Sequence, residues 1–180
     1  MEPIDQLLIE RTLAGSLDCF DVLMQQYERD VYLVAMGYAK VQDDALDICQ
    51  NAFLKAYRKL STFRGRSSFK TWLLAIANRE GLNWVRTQSR KAPATVVSIT
   101  GDAFPAGEDQ EAELIYAERR DQVVRQLEVL NQRSRTAVVL RYYRDMPIRD
   151  IAEVLDCSEG VVRNMLFRSV RKLKSAVAGE

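Results

Sequence analysis

The sequence predicts an all-α protein with two helical domains joined by a flexible linker. Apolar residues recur at three- and four-residue steps over most of the chain, which is the period of an amphipathic helix. The pattern stops between residues 91 and 110, where Pro, Gly, Ser, Thr and Asp replace it. No strand-rich segment is present, and 180 residues suit two compact domains and a linker. We therefore expect domains at 1–90 and 111–180.

Four helices are predicted in the first domain. A short one covers residues 4–13, and a longer one covers 17–39, whose apolar stripe repeats at helical steps. A third runs over 43–60, with Asp43 as its N-cap. After a loop, a fourth helix is expected over residues 69–88. Either Ser16 or Asp18 is expected to cap the second helix.

The second domain is predicted to contain the strongest local motif. Helices are expected over 111–130 and 132–143, with Asn131 capping the latter, and over 148–155 and 158–178. The last two form a helix-turn-helix pattern, in which the second helix enters the DNA major groove. The alternative is a pair of antiparallel bundle helices with a basic solvent face.

Charge is segregated along the chain although the net charge is only +1. Residues 1–51 hold ten acids and three bases, whereas residues 52–91 hold ten bases and one acid. Residues 100–121 are acidic, and residues 122–180 hold eleven bases and seven acids. Two basic blocks predict two surfaces that face a polyanion, although basic runs also occur as plain solvated helix faces.

Several function classes have no support in the composition. Histidine is absent, and Cys19, Cys49 and Cys157 are isolated, which predicts no metal site and a reducing compartment. No phosphate loop or nucleophile elbow is present, so neither an enzyme nor a cofactor is expected. The N-terminus lacks a signal-peptide pattern, and no apolar run is long enough to insert into a membrane. A cytoplasmic location is the expectation.

Two sets of motifs, one in each predicted domain, carry a family resemblance. Residues 141–155 (RYYRDMPIRDIAEVL) continue directly into residues 156–163 (DCSEGVVR). Residues 45–56 (ALDICQNAFLKA) are followed by FRG at 63–65 and FKTWL at 69–73. The first set resembles region 4, and the second resembles region 2, of bacterial sigma factors of the extracytoplasmic-function (ECF) group. The resemblance implies a sigma factor that binds core RNA polymerase, through its largest and second-largest subunits, and directs it to promoter DNA.

The resemblance also implies roles for individual residues. Those expected to dock on core polymerase are Asp47, Gln50, Asn51, Phe53 and Leu54. Those expected at the minus-ten DNA are Arg64, Arg66, Phe69, Lys70, Trp72, Asn78, Arg79, Asn83, Arg86 and Arg90. Those expected at the minus-thirty-five DNA are Ser158, Glu159, Gly160, Arg163, Asn164, Phe167, Arg168 and Arg171. The aromatic residues in the second set fit either a core role or a base platform.

Some parts of the sequence depart from the family pattern or fit more than one role. Asn78-Arg79 stands where Arg-Asn is commoner, and Asp156 occupies a turn position where Gly is usual, so promoter sequence does not transfer from a relative. The acidic linker suits either entry into polymerase channels or a solvated tether. Family members are commonly held inactive by an anti-sigma factor, which is therefore an expected partner.

Two rival functions remain open from the sequence. One is a stand-alone helix-turn-helix regulator, with residues 1–90 as a sensing or dimerisation domain. The other is an interaction protein that only sequesters a partner, as anti-sigma factors do. The basic, asparagine-bearing fourth helix counts against the first, and the two basic blocks count against the second.

Overall fold

The computed structural model describes residues 3–39, 41–91, 127 and 129–177, and in this part of the chain the regular structure is entirely helical. The helices are α1 (Pro3–Leu13), α2 (Leu17–Met36), α3 (Gln42–Lys59), α4 (Phe69–Lys91), α5 (Gln132–Tyr142), α6 (Ile148–Val154) and α7 (Glu159–Val177), with a 3₁₀ turn at Leu60–Thr62. The all-α prediction is confirmed. The expected linker and the helix expected at 111–130 lie outside the described residues, apart from 91, 127, 129 and 130.

Helices α2, α3 and α4 form a three-helix bundle, and α1 packs against α2. The face of α3 that the sequence predicts to be apolar, comprising Ile48, Ala52, Ala56 and the following Leu60, is buried. Helix α2 contributes Val31 and Val34 among others to the same core. The alanines have small side chains, so neighbouring helices can approach closely at these positions.

The helix caps agree only partly with the expectations. Asn131 caps α5, because its Oδ1 accepts from the backbone N–H of Ser134 at 2.9 Å. Ser16 is the N-cap residue of α2, but its side chain makes no capping hydrogen bond. The prediction for Asp43 is wrong: α3 begins after Val41, and Asp43 lies in its first turn, where a carboxylate favours the helix dipole. Ser68, which was not predicted, accepts from the N–H of Thr71 at 3.0 Å at the start of α4.

An aromatic cluster holds the start of α4 against the bundle. Phe63 and Phe69 meet edge to face at 5.7 Å between ring centroids, and Trp72 lies 5.3 Å from Phe63. Tyr27 of α2 lies 5.7 Å from Phe69. Such pairs stabilise a core beyond the area that they bury. The loop between α3 and α4 is therefore anchored at its C-terminal end.

Helices α5, α6 and α7 pack together as the predicted helix-turn-helix unit. Between α6 and α7, Asp156 has a φ of 52°, in the left-handed region that Asp tolerates better than most residues. The guanidinium of Arg133 donates to the backbone carbonyl oxygens of Leu155 and Asp156, which end α6. Val162 and Leu166 of α7 are buried, as the sequence predicts.

The two halves of the chain touch. Helix α2 packs on α5, and α4 packs on α6, so buried apolar residues of both halves belong to one contiguous core. Two glycines lie at close approaches in this region. A Cβ on Gly37 would overlap the hydroxyl of Thr136 in α5, and a Cβ on Gly81 would overlap the ring of Tyr38.

Replacement of Gly81 by alanine is expected to destabilise the protein. Gly→Ala in a helix usually stabilises by about 0.4–1 kcal/mol through the unfolded state. At Gly81 the overlap with Tyr38 outweighs this gain, and overpacking should lower the free energy of unfolding by about 1–3 kcal/mol. Urea denaturation of Gly81→Ala measures the difference.

Gly160→Ala is the matched control for this experiment. Its added Cβ would meet only the Ser158 hydroxyl, at 3.9 Å, so equal or higher stability is expected. A Gly81→Ala variant as stable as Gly160→Ala would contradict the close packing of Tyr38 on α4.

Candidate docking groove and nucleic-acid interface

A groove of about 330 Å³ lies between α2 and α3. It is lined by Met24, Gln25, Glu28, Tyr32, Leu46, Cys49, Gln50 and Phe53. Two of the residues expected to dock on polymerase, Gln50 and Phe53, are among them. The remaining three, Asp47, Asn51 and Leu54, are exposed on α3 close to Gln50 and Phe53 in sequence.

One side of the groove is formed by α2 residues that were not predicted from the sequence. Met24, Gln25, Glu28 and Tyr32 all come from α2, where they lie beside or within the apolar stripe. No local signal marks them, because the stripe shows which residues are apolar but not which helix they face. The exposed Asn51 is oriented within α3: its amide donates to the backbone carbonyl of Asp47 at 2.9 Å, one turn earlier.

Two ionisable groups of α3, Cys49 in the groove and Asp44 near the start of the helix, are perturbed by burial and by neighbouring charge. Burial, reinforced by the carboxylate of Glu28, raises the pKa of Cys49 to about 12, so this thiol is protonated at neutral pH. Burial and the carboxylates of Asp47 and Asp43 raise the pKa of Asp44. Burial is the larger cause of both shifts, and the carboxylates of Glu28, Asp43 and Asp47 add to it, so this part of the surface carries several negative charges. The site favours a partner that is apolar with cationic groups at its edge.

The second candidate surface comprises the loop before α4 and one face of that helix. Arg64 and Arg66 are exposed on either side of Gly65, whose φ of 64° makes the turn. Arg79, Asn83 and Arg86 are exposed and spaced by four and three residues, so they share one face of α4. This gives a cationic track with an amide between two guanidinium groups, which suits a single-stranded nucleic acid.

Other residues expected at the minus-ten DNA are engaged within the protein. Phe69 is 1% exposed in the aromatic cluster, and Trp72 is only partly exposed beside it. Asn78 is 2% exposed and accepts a hydrogen bond from the Tyr38 hydroxyl. Lys70 pairs with the buried carboxylate of Asp30 at 3.2 Å. In this arrangement neither Phe69 nor Asn78 reaches the surface. The side chain of Arg90 lies outside the described residues.

The third surface is the outer face of α7. The residues expected there that are exposed are Ser158, Gly160, Arg163, Asn164, Phe167, Arg168 and Arg171, while Glu159 is partly exposed. Glu159 pairs with Arg163 at 2.7 Å one turn later. The guanidinium of Arg171 lies 5.8 Å from the centre of the Phe167 ring. The exposed face therefore carries charge, amide and aromatic groups together.

A groove of about 370 Å³ runs beside this face, between α7 and the start of α5. Sequence reasoning placed Asn164 and Arg168 at the surface but missed Arg133 and Ser134, which reach the same groove from α5. Lys172 also lines it and donates to the backbone carbonyl of Val129. Basic side chains near a helix N-terminus are suited to phosphate, so the groove extends the cationic surface of α7.

Comparisons with known proteins agree with this arrangement. Residues 23–91 match the model of Sigma-70 region 2, and residues 120–173 match the model of Sigma-70, region 4. The ECF RNA polymerase sigma-E factor of Escherichia coli K12 is 33% identical over 96% of this chain and 94% of its own length. The sigma-E factor of Haemophilus influenzae is 30% identical over 96% and 95%.

Solved structures share the fold. CnrH, in a complex with the cytosolic domain of CnrY, superposes with a TM-score of 0.69 at 23% identity, covering 98% of this chain and 99% of its own. The sigma factor RpoE of Bartonella quintana, in a complex with the anti-sigma factor NepR, has a TM-score of 0.69 at 20% identity, covering 88% and 96%. No helix in the described part of the chain combines the length and apolarity needed to cross a bilayer.

The raised pKa of Cys49 predicts a thiol that is inert in the folded protein. At pH 8, far below a pKa of about 12, almost none of it is thiolate, and the thiolate is the reactive form. Titration with a chromogenic disulfide reagent should therefore modify Cys19 and Cys157 first, and all three cysteines only in guanidinium.

The Cys49→Ala variant shows whether the unreactive thiol of the folded protein is Cys49. In guanidinium this variant should titrate two thiols instead of three, while the reaction of the native protein keeps its amplitude. Rapid modification of Cys49 in the native protein at pH 8 would show that the groove is open around the sulfur atom.

Proposed function

The chain belongs to the ECF group of sigma-70 factors, and we propose that it divides promoter recognition between its two halves. Family membership makes it a transcription initiation factor that works with core RNA polymerase at promoter DNA. The observation that supports the division is the order of the matches: region 2 lies on α2–α4, and region 4 lies on α5–α7. We propose domain boundaries at residues 1–90 and 111–180, with the linker between them.

Helix α7 is proposed to read the minus-thirty-five element in the major groove. Arg163 and Asn164 are exposed near its N-terminal end, where a recognition helix contacts base edges. Arginine can form bidentate hydrogen bonds with guanine, and asparagine can form them with adenine. Arg168 and Arg171 lie further along and are assigned to phosphates, with Arg133 of α5 beside them.

Helix α4 and the loop before it are proposed to hold the melted minus-ten strand. Arg64 and Arg66 on the loop and the Arg79–Asn83–Arg86 face of α4 form the track that supports this proposal. The cations bind the backbone, and Asn83 offers an amide to an unpaired base. Because α4 is anchored by the aromatic cluster, the exposed face is presented on a rigid element.

The groove between α2 and α3 is proposed to dock on core polymerase. Exposed Leu46 and Leu54 and buried Phe53 provide apolar surface at the groove or next to it. The surrounding carboxylates, including Asp47, favour a cationic partner surface. RNA synthesis then takes place on the polymerase, and this chain contributes binding rather than catalysis. A cytoplasmic location follows from this partner.

An anti-sigma factor is proposed as the regulator. The sigma factor RpoE of Bartonella quintana, which shares the fold of this chain, forms a complex with the anti-sigma factor NepR. The exposed apolar and charged surfaces of both halves offer such a protein binding sites that compete with polymerase and DNA.

Sequencing of RNA 5′ ends after induced expression in a bacterial host tests the whole proposal. Starts that appear only on induction should share two elements, about 10 and 35 positions upstream, as the two modules require. Failure of the purified chain to bind core polymerase at micromolar concentration would contradict the proposed function. Tight specific duplex binding without polymerase would instead favour the stand-alone regulator.

Arg163→Ala should weaken binding of the polymerase complex to the promoter and reduce its preference for the base at one position of the minus-thirty-five element. Loss of a bidentate hydrogen bond to a base reduces the binding free energy by roughly 1–3 kcal/mol and relaxes specificity at that position. Competition binding with promoter variants measures both effects. The control is Arg168→Ala, which should weaken binding to all variants alike because a phosphate carries no sequence. An unchanged promoter preference in Arg163→Ala would assign Arg163 to solvent or phosphate.

The double variant Asp47→Ala/Gln50→Ala should bind core polymerase at least tenfold more weakly. Both side chains are exposed at the α3 side of the docking groove, so their loss leaves the fold intact. The control, Gln6→Ala/Glu10→Ala, removes an exposed amide and carboxylate from α1, which are hydrogen-bonded to each other at 3.1 Å. Fluorescence anisotropy with labelled chain gives both affinities. Equal affinities for the two double variants would remove α3 from the docking surface.

A further inference from the structure

An ion pair lies on the first two turns of α7. Glu159 is the first residue of this helix, and its Oε2 accepts a hydrogen bond from Nη2 of Arg163 at 2.7 Å. The two side chains are 43% and 62% exposed, respectively. Glutamate four residues before arginine is the favourable order on a helix, and a carboxylate in the first turn also favours the helix dipole. Because exposed ion pairs contribute little to folding stability, we look for the effect of this pair on Arg163 itself.

The helix surface around the pair is open. The hydroxyl of Ser158 accepts from the N–H of Val161 at 3.4 Å at the start of the helix. A Cβ built on Gly160 would meet only that hydroxyl, at 3.9 Å, so no side chain crowds this turn. The ion pair engages Nη2 of Arg163, whereas a guanidinium has five N–H donors. Donors therefore remain for O6 and N7 of a guanine.

Arg171, further along the same face, is held in a different way. Its guanidinium lies 5.8 Å from the centre of the Phe167 ring, which is a neutral partner. A neutral ring leaves the full positive charge available to a phosphate, the group to which Arg171 is assigned. The carboxylate of Glu159 instead offsets the charge of Arg163. Since attraction to phosphates depends on net charge and base recognition on directed hydrogen bonds, the ion pair favours a base edge for Arg163.

The ion pair also changes the balance between correct and incorrect base pairs. A free arginine side chain loses rotamer freedom when it binds, and a side chain that is already ordered loses less. At a guanine, Arg163 binds the base while it still neutralises the carboxylate. At other base pairs the carboxylate comes close to DNA phosphates without these hydrogen bonds in return, which penalises binding. Discrimination between bases rises, and affinity for unrelated DNA falls.

We propose that Glu159 is a positioning residue that directs Arg163 to a guanine of the minus-thirty-five element and away from the phosphate backbone. The inference deepens the role that the proposed function gives to Arg163 and rests on that role. Glu159 acts through Arg163 and makes no base contact of its own. It therefore sets promoter specificity at the expense of general DNA affinity.

The isosteric variant Glu159→Gln tests this in the complex of the chain with core polymerase. The probes are a promoter duplex taken from the 5′-end sequencing, the same duplex changed at the position that Arg163→Ala no longer distinguishes, and an unrelated duplex. Glu159→Gln should lower the preference for the correct base at least threefold and raise affinity for the unrelated duplex at least twofold. The plot of log affinity against log salt should steepen by about 0.9, because Arg163 becomes available to one phosphate.

Two comparisons separate positioning from charge and from helix stability. Glu153→Gln removes an equal charge from an exposed position on α6 and should change the base preference less than twofold. A residue that only favours the start of α7 would lower the melting temperature, measured by circular dichroism, and leave base preference and salt dependence unchanged.

A double-variant cycle with Arg163→Ala completes the test. In the Arg163→Ala background, Glu159→Gln should change the base preference less than twofold, because the residue through which it acts is missing. A full effect in that background would show that Glu159 contacts DNA itself and would overturn the proposal. So would an unchanged base preference in Glu159→Gln alone, although the reading of bases by Arg163 would then still stand. If Arg163→Ala itself retains every base preference, both this inference and the assignment of Arg163 are wrong.

Discussion

Asp30 is a buried charge at the contact between the two halves, and its ion pairs constrain how the halves meet. Transfer of a carboxylate from water into a protein costs several kcal/mol unless cations and hydrogen bonds replace its hydration. Lys70 and Arg144 provide this replacement, one from each half of the chain. Lys70 belongs to the same helical bundle as Asp30 and stays with it, whereas Arg144 is present only when the halves meet. The carboxylate thus couples solvation in one module to the position of the other.

Helix α4 contributes to the bundle core and to the contact with α6, and it also carries the surface that we propose for the minus-ten strand. Leu73, Leu74 and Ala77 are buried in the bundle, while Arg79 and Asn83 face solvent. Between these faces lie polar residues that bind partners within the protein. A helix has a limited circumference, so residues that serve the contact with α6 are taken from the surface that we propose for DNA. Competition between the two uses is therefore a consequence of helix geometry.

Most of the helices could be predicted from the sequence because each depends on local information. Periodic apolar residues such as Ile48 and Ala52 define the face of α3, and Asn131 marks the start of α5 with a cap that the structure contains. The turn at Asp156 was also predictable, because few residues tolerate a positive φ. Asp43 misled because an acidic residue near a helix start can either cap the helix or lie in its first turn; the helix begins after Val41, so Asp43 lies in the first turn.

The sequence alone determined the all-helical class, the two motifs and their order, since these follow from periodicity, spacing and residue type within short windows. Only the tertiary structure decided that Met24 and Glu28 of α2 line the groove with α3, and that Arg133 joins the surface of α7. It also decided that Asn78 is turned inward to Tyr38. These outcomes depend on which helix faces meet across large separations in the chain. Periodicity identifies an apolar face, but packing chooses its partner.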